Sequence, residues 1–353
     1  MMRVGAVRTV LPEHYYSQEE ITDAMARWTD ADERLLRRFH AATQVSGRPL
    51  VWPLEEYPKL NDFTTANDAF IDNALDLGER AMRAALESAG VQAREVDQLV
   101  VCYSTGVATP TPDVGLAKRA GLRADVKRVP VFGLGCSAGA AGLARLHDYL
   151  LGRPDQVAML VCIELCSLTL QRDDTSTANL VASGLFGDGV TAVVALGEQA
   201  AERGSAIRRG PRVTASGSRL YPGTERLMGW EIGEHGFRTV LAADLADHVE
   251  AVLADDVAAF LGDHGLSRKD VSSWVCHPGG PKVLDKISEV LDFGHGELDV
   301  TWQSLRQLGN LSSVSVLDVL ERTIADHRPA EGEPGVLMAL GPGFSADLVL
   351  LRW

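Results

Sequence analysis

The segments GVQAREVDQLVVCYSTG (residues 90–106) and GLSRKDVSSWVCHPGG (residues 265–280) read as one structural unit written twice. Each has a glycine where a helix stops, a short charged turn, and a run apolar enough for a buried strand. Gly90 pairs with Gly265, and Val96 with Val271, both at a separation of 175 positions. Further along, Leu134-Gly135-Cys136 pairs with Leu308-Gly309-Asn310 at a separation of 174, and a helical apolar period follows each. A third pair, GDGVTAVVAL from Gly187 and GPGFSADLVL from Gly341, has a separation of 154, which requires shorter connections in the second half. Three matches in the same order predict two similar halves, residues 1–205 and 206–353.

Near-continuous apolar runs at residues 96–102, 157–163 and 336–340 fit strands covered by helices on both faces, which makes the fold class α/β. Helical periodicity falls between them at residues 72–89, 137–151, 241–261, 282–291 and 314–325. Residues 1–68 match neither repeat and are expected to be an added lead-in that covers the core. With 46% hydrophobic and 23% charged residues, the 353-residue chain can bury a large core. The net charge of −14 disfavours nucleic acid as a partner. The longest apolar stretch, residues 157–170, is interrupted by Glu164, and Arg3 and Arg8 break the N-terminal one, so neither a membrane span nor an export signal is expected. Five cysteines with no C-x-x-C pair suit reduced thiols in a cytoplasmic setting.

Cys136 lies in VFGLGCSAGAAGLARLHDYLLG (residues 131–152), where a strand ends in glycines and a helix starts at once. A helix N-terminus offers free N–H groups and partial positive charge, which favour thiolate. Cys102, Cys162 and Cys276 read as buried structural thiols instead. His277 follows Trp274-Val275-Cys276 at the carboxyl end of a strand, where α/β sheets gather their sites. Asn310 holds in the second half the place of Cys136 in the first, so a pseudo-twofold axis would bring the two junctions together. A zinc site is not expected, because Cys276 and His277 have no second pair at ligand spacing.

GLGCSAGAAGL around Cys136, LFGDG from Leu185, CHPGGPKVLD from Cys276, LGNLSSVSVL from Leu308 and the final GPGFS from Gly341 resemble the thiolase superfamily of condensing enzymes. Within it they are most similar to type III polyketide synthases related to chalcone and stilbene synthases. That resemblance covers nearly the whole chain and implies a thiolase-like αβαβα layered fold from two duplicated halves. It assigns Cys136, His277 and Asn310 as the catalytic triad and places the family's two gatekeeping phenylalanines on Phe186 and Phe237; as sequence pattern alone, the two are equally ordinary core aromatics. ELCSLTLQRDDTS from Glu164 and the stretch from Arg219 look like bacterial alkylpyrone and alkylresorcinol synthases. The resemblance therefore implies a fatty acyl-CoA starter extended with malonyl-CoA, a cavity lined by Thr109 and Cys166, a homodimer and no cofactor. It places CoA-binding basic residues in the lead-in, where Arg48 aligns; Arg34, Arg37 and Arg38 sit at helical spacing among acids, as on a solvated face. Two other readings remain: an initiating ketoacyl synthase, which typically has Gln-Ala-Asn where Pro278-Gly279-Gly280 follows His277, and a catalytically silent partner subunit.

Overall fold

The computed structural model describes residues 1–203 and 210–353, so the expected boundary at 205/206 lies outside the described residues. The chain opens with β1 (Met2–Val10), β2 (His14–Ser17), α1 (Gln18–Trp28), α2 (Glu33–Ala42) and β3 (Gly47–Leu50). The first half continues with α3 (Phe63–Ala89), β4 (Val96–Tyr103), α4 (Pro112–Ala120), β5 (Lys127–Phe132), α5 (Ala138–Leu151) and β6 (Val157–Leu165). It ends with α6 (Thr177–Leu185), β7 (Asp188–Gly197) and α7 (Glu198–Arg203). The second half begins with β8 (Arg212–Leu220), the hairpin β9 (Met228–Gly233) and β10 (Gly236–Leu241), α8 (Leu245–Gly262) and β11 (Ser273–Cys276). After these come α9 (Pro281–Val290), α10 (Asp299–Leu308), α11 (Ser313–Asp326), β12 (Pro334–Gly341) and β13 (Ser345–Arg352).

Nine of the described strands form one sheet in the order β11-β12-β13-β8-β1-β7-β6-β4-β5. Its two wings repeat each other about the β1–β8 seam. On one side β1–β7 and β7–β6 are antiparallel and β6–β4 is parallel. On the other, β8–β13 and β13–β12 are antiparallel and β12–β11 is parallel. The duplication read from β4 and β11, from the two Gly-containing junctions, and from β7 and β13 is therefore structural. The shorter third separation has a visible cause. Residues 166–187 link β6 to β7 through α6, whereas only Pro342, Gly343 and Phe344 link β12 to β13.

Strand alternation sorts the side chains into layers. Met159, Val161, Ile163 and Leu165 of β6 face α3 with Ala74, Leu77 and Met82. Ala158, Leu160 and Cys162 face the opposite way, into a layer shared by α5 and α11. Val336 and Met338 of β12 meet Val249, Leu253 and Val257 of α8 in the outer layer of the second half. The result is helix, sheet wing, helix pair, sheet wing, helix, with both wings part of the one nine-stranded sheet. Burying such runs contributes roughly 25 cal/mol per Å² of apolar surface, the main force holding the layers together.

Two sequence expectations need correction. Residues 1–68 are not wholly an addition, because β1 stands at the centre of the sheet between β7 and β8. Arg3 and Arg8 hid it by breaking the apolar run, although Met2, Val4, Ala6 and Val7 are buried. The helix expected from Leu241 starts only at Leu245, since Leu241 ends β10 and pairs with Met228.

Candidate active site

The central helix pair brings the two junctions together. A Cβ on Gly139 of α5 would lie 2.5 Å from the Ser313 carbonyl at the start of α11, so only glycine permits this approach. Cys136 occupies a tight turn just before α5, and Asn310 precedes α11. His277 follows β11 directly, its N–H donating to the Met338 carbonyl at 2.9 Å. All three side chains line one largely apolar cavity of about 890 Å³, including its open mouth.

Local hydrogen bonds fix the donors. The Ser312 N–H donates to Asn310 Oδ1 at 2.7 Å, so the amide must turn its Nδ2 the other way, where it donates to the Gly279 carbonyl at 3.3 Å. Ser312 has φ 51° and ψ −128°, a strained conformation for a residue with a Cβ, and its hydroxyl accepts from Cys136 Sγ at 3.8 Å. Both ring nitrogens of His277 are buried and have no hydrogen-bond partner among the described residues.

Burial dominates the electrostatics. It pushes the Cys136 thiol up to about 12, with the hydroxyl of Ser312 opposing and the nearby Glu164 adding to the rise. It also pushes His277 down to about 3. A lone thiolate or a lone imidazolium is thus disfavoured. A proton moved from sulfur to imidazole creates both ions at once with no change in net charge, and the two then attract in a low dielectric.

Behind the cysteine, Glu164 of β6 is fully buried. Its carboxylate accepts from the Ser104 hydroxyl at 2.9 Å, the Ser104 N–H at 3.2 Å and the Ser313 hydroxyl at 2.7 Å. Burial raises its pKa from 4.5 to about 7 despite those bonds. A folded pKa above the unfolded one contributes stability that is full below about pH 4.5 and lost as pH rises through 7. Against Glu164→Gln, the wild type should therefore lose on the order of 3 kcal/mol of stability between pH 4.5 and 7.5. Parallel urea-melt stabilities for the two proteins across that range would refute this.

The remaining expected site residues divide. Cys166 and Phe186 line the cavity and also a second one of about 530 Å³ that extends under α1 and α6. Thr109 does not: it is exposed, in the loop after β4. Phe237 is buried against Phe63, with ring centroids 5.7 Å apart, and lies behind Trp230 rather than at the cavity. The hairpin presents Trp230 and Thr239 instead, cross-strand partners that line both cavities. Arg48 is 2% exposed and donates to the Phe186 and Ser183 carbonyls, so it offers no charge at the surface. Arg34, Arg37 and Arg38 lie on the exposed face of α2, where Arg37 is paired with Asp23 and Glu33, each at 2.7 Å.

Sequence reading missed Ser104, Trp230, Thr239 and Ser312 at the cavity, and Glu164 behind it. Only Glu164 carried a signal, a charge inside an otherwise apolar strand. Among the described residues, no cluster of three or more His, Cys, Asp or Glu could hold a metal ion, and no helix is long and apolar enough to cross a membrane.

Comparison with known proteins places this geometry. The profile for the N-terminal domain of chalcone and stilbene synthases matches residues 2–199, and that for the C-terminal domain matches residues 212–353. The 1,3,6,8-tetrahydroxynaphthalene synthase of Streptomyces peucetius subsp. caesius is 52% identical over 353 residues, covering 99% of this chain and 93% of the relative. The alpha-pyrone synthesis polyketide synthase-like Pks18 of Mycobacterium tuberculosis is 30% identical over 360 residues, covering 98% and 90%. Among solved structures, the tetrahydroxynaphthalene synthase of Streptomyces coelicolor, a bacterial type III polyketide synthase, superposes with a TM-score of 0.93 at 29% identity, covering 99% of each chain.

Proposed function

Because the chain belongs to the chalcone and stilbene synthase family and is a type III polyketide synthase, a decarboxylating condensing acyltransferase, we propose that it condenses malonyl-CoA units into an aromatic polyphenol of the tetrahydroxynaphthalene type. The observation that carries this product is the 52% identity, end to end, with a synthase named for it. Oxygen on alternating carbons of both rings is the pattern left by repeated two-carbon condensation without reduction. Such a product requires no alkyl starter.

In this reading, Cys136 passes its proton to His277 and the sulfur attacks a CoA thioester. The C–S bond to CoA breaks, the acyl group moves to Cys136, and CoA takes the proton from His277 and leaves as the thiol. A malonyl-CoA then binds with its thioester oxygen between the His277 N–H and Asn310 Nδ2. The carbon–carbon bond to its carboxylate breaks, CO₂ leaves, and the electron pair spreads onto that oxygen as an enolate. Loss of one such donor typically costs about 3 kcal/mol. The enolate carbon attacks the Cys136 thioester, a carbon–carbon bond forms, and the sulfur is released as thiolate. Decarboxylation makes the nucleophile without proton abstraction, so no carboxylate base is needed. The apolar walls formed by Phe186 and Trp230 keep water from the thioester.

A second reading keeps the expected fatty acyl starter and an alkylpyrone or alkylresorcinol product. It is favoured by the second cavity, walled by Ile21, Met25, Trp28 and Leu54, and by the relative named for alpha-pyrone synthesis. Purified protein given malonyl-CoA alone should form the naphthalene product, identified by mass, and adding dodecanoyl-CoA should leave it the main product. If turnover requires dodecanoyl-CoA, the second reading replaces the first, and Cys166→Phe, at the junction of the cavities, should then shorten the accepted chain.

A homodimer is supported by the sheet's open end. The edge strand β5 has no outer partner among the described residues, and Phe132 and Leu134 beside it are 44% and 39% exposed.

A further inference from the structure

Arg48 stands on β3, in the segment that covers the core, with its side chain enclosed and the buried Asp188 carboxylate as its strongest charged neighbour among the described residues. Its Nη2 donates to the Ser183 carbonyl at 2.7 Å and its Nη1 to the Phe186 carbonyl, the last carbonyls of α6 and the residue after it. A cation at a helix C-terminus is favourable, but an enclosed guanidinium whose Nε has no hydrogen-bond partner among the described residues is a costly way to cap a nine-residue helix. Burial lowers its pKa only to about 10, so the charge persists at neutral pH.

The capped segment is one side of a joint. The Asn310 N–H donates to the Leu185 carbonyl at 2.9 Å, and the Gly187 N–H donates to the Asn310 carbonyl at 3.0 Å, so residues 185–187 form a parallel bridge with Asn310. Arg48 threads beneath that joint. A Cβ on Gly309 would lie 2.9 Å from Arg48 Cδ, and one on Gly187 would lie 3.4 Å from Arg48 Cβ. The guanidinium thus fixes Phe186, and through the bridge it fixes the backbone from which the Asn310 amide projects.

We propose that Arg48 is a positioning residue for condensation: its two hydrogen bonds lock the Leu185–Gly187 segment against Asn310 and thereby aim the Asn310 amide and the Phe186 wall at the reacting thioester. The proposal rests on the decarboxylating reading given above. It differs from a CoA-phosphate contact, the role expected of Arg48 from sequence, because each predicts a different kinetic change.

The test compares Arg48→Met and Arg48→Lys with wild type for malonyl-CoA decarboxylation and for iodoacetamide alkylation of Cys136. Folding is checked by melting temperature. Arg48→Met should lower kcat for decarboxylation on the order of 30-fold, the scale of a misplaced group, with KM for malonyl-CoA and the alkylation rate little changed. Arg48→Lys, which keeps the charge and one donor reaching a carbonyl, should recover part of the kcat. The proposal is overturned if KM rises while kcat holds, or if decarboxylation and alkylation fall in equal proportion. It is also overturned if the lysine variant folds like wild type yet turns over no better than a folded methionine variant. Should the methionine variant not fold, a folded lysine variant with unchanged kcat overturns it, and one with reduced kcat and unchanged alkylation supports it. Wild type unable to decarboxylate malonyl-CoA would sink the functional reading and this inference with it, whereas an active wild type with an equally active Arg48→Met sinks this inference alone.

Discussion

Cys136→Ala is expected to lower product formation from malonyl-CoA by at least about 1,000-fold while leaving malonyl-CoA decarboxylation within about tenfold of wild type. The two steps separate because they use different groups. Loading and chain growth need a sulfur to carry the acyl group, and Cys136 shares the cavity with His277 and Asn310 and is hydrogen-bonded to the Asn310 and Ser312 side chains. Cys102, Cys162 and Cys276 face packed layers, and Cys166 stands at the far junction with the second cavity. Cleavage of malonyl-CoA needs only a place for negative charge on the thioester oxygen, which the His277 N–H and the Asn310 amide supply without the thiol. Product and released CO₂, followed separately with labelled malonyl-CoA, read out the two rates. Loss of both in equal measure would mean that the substitution has disturbed the donors, and full product formation would remove the sulfur from the mechanism.

The second large effect concerns His277. In wild type the Cys136 proton passes to the imidazole within the pair, with no exchange with solvent, so alkylation of Cys136 by iodoacetamide should be nearly independent of pH between 7 and 9. In His277→Gln no imidazole remains to take the proton, and the burial that pushes the Cys136 thiol up to about 12 decides its state. Thiolate at pH 7 is then on the order of one molecule in 10⁵, and alkylation should fall at least 100-fold and climb tenfold per pH unit. The sign follows from the chemistry: a raised thiol pKa leaves less thiolate at every pH below it. A wild-type rate that itself climbs tenfold per pH unit would show that Cys136 rests as a neutral thiol, with His277 acting only as the substrate arrives.

The placement of Cys136, His277 and Asn310 is legible before the fold because they lie at repeated junctions. Cys136 and Asn310 each end a Leu-Gly-X turn before a helix, and His277 ends a strand that repeats β4. Twofold placement then follows from backbone geometry, which composition and spacing record well. The cavity walls were less legible. The resemblance places a gatekeeping phenylalanine on Phe237, but in the hairpin β9–β10 the wall is set by distance from the turn. Two positions along each strand, from Phe237 paired with Ile232 to Thr239 paired with Trp230, move a side chain about 7 Å along the ribbon, enough to pass the cavity's edge. Arg48 was misread for a similar reason. Its charge suggested a phosphate at the surface, while its position on a strand folded under Gly187 and Gly309 decides that its partners are backbone carbonyls. Glu164 shows the reverse case, where a charge interrupting an apolar run was itself the sign of a buried polar network.

Acid quenching of the protein seconds after it meets malonyl-CoA, followed by proteolysis and mass analysis, tests the covalent step directly. The peptide containing Cys136 should carry an added acyl mass that hydroxylamine removes, and the peptide containing Cys166 should not. Product accumulating while the Cys136 peptide stays unmodified, or the acyl mass appearing on Cys166 instead, would contradict the assignment of Cys136 as the carrier of the growing chain.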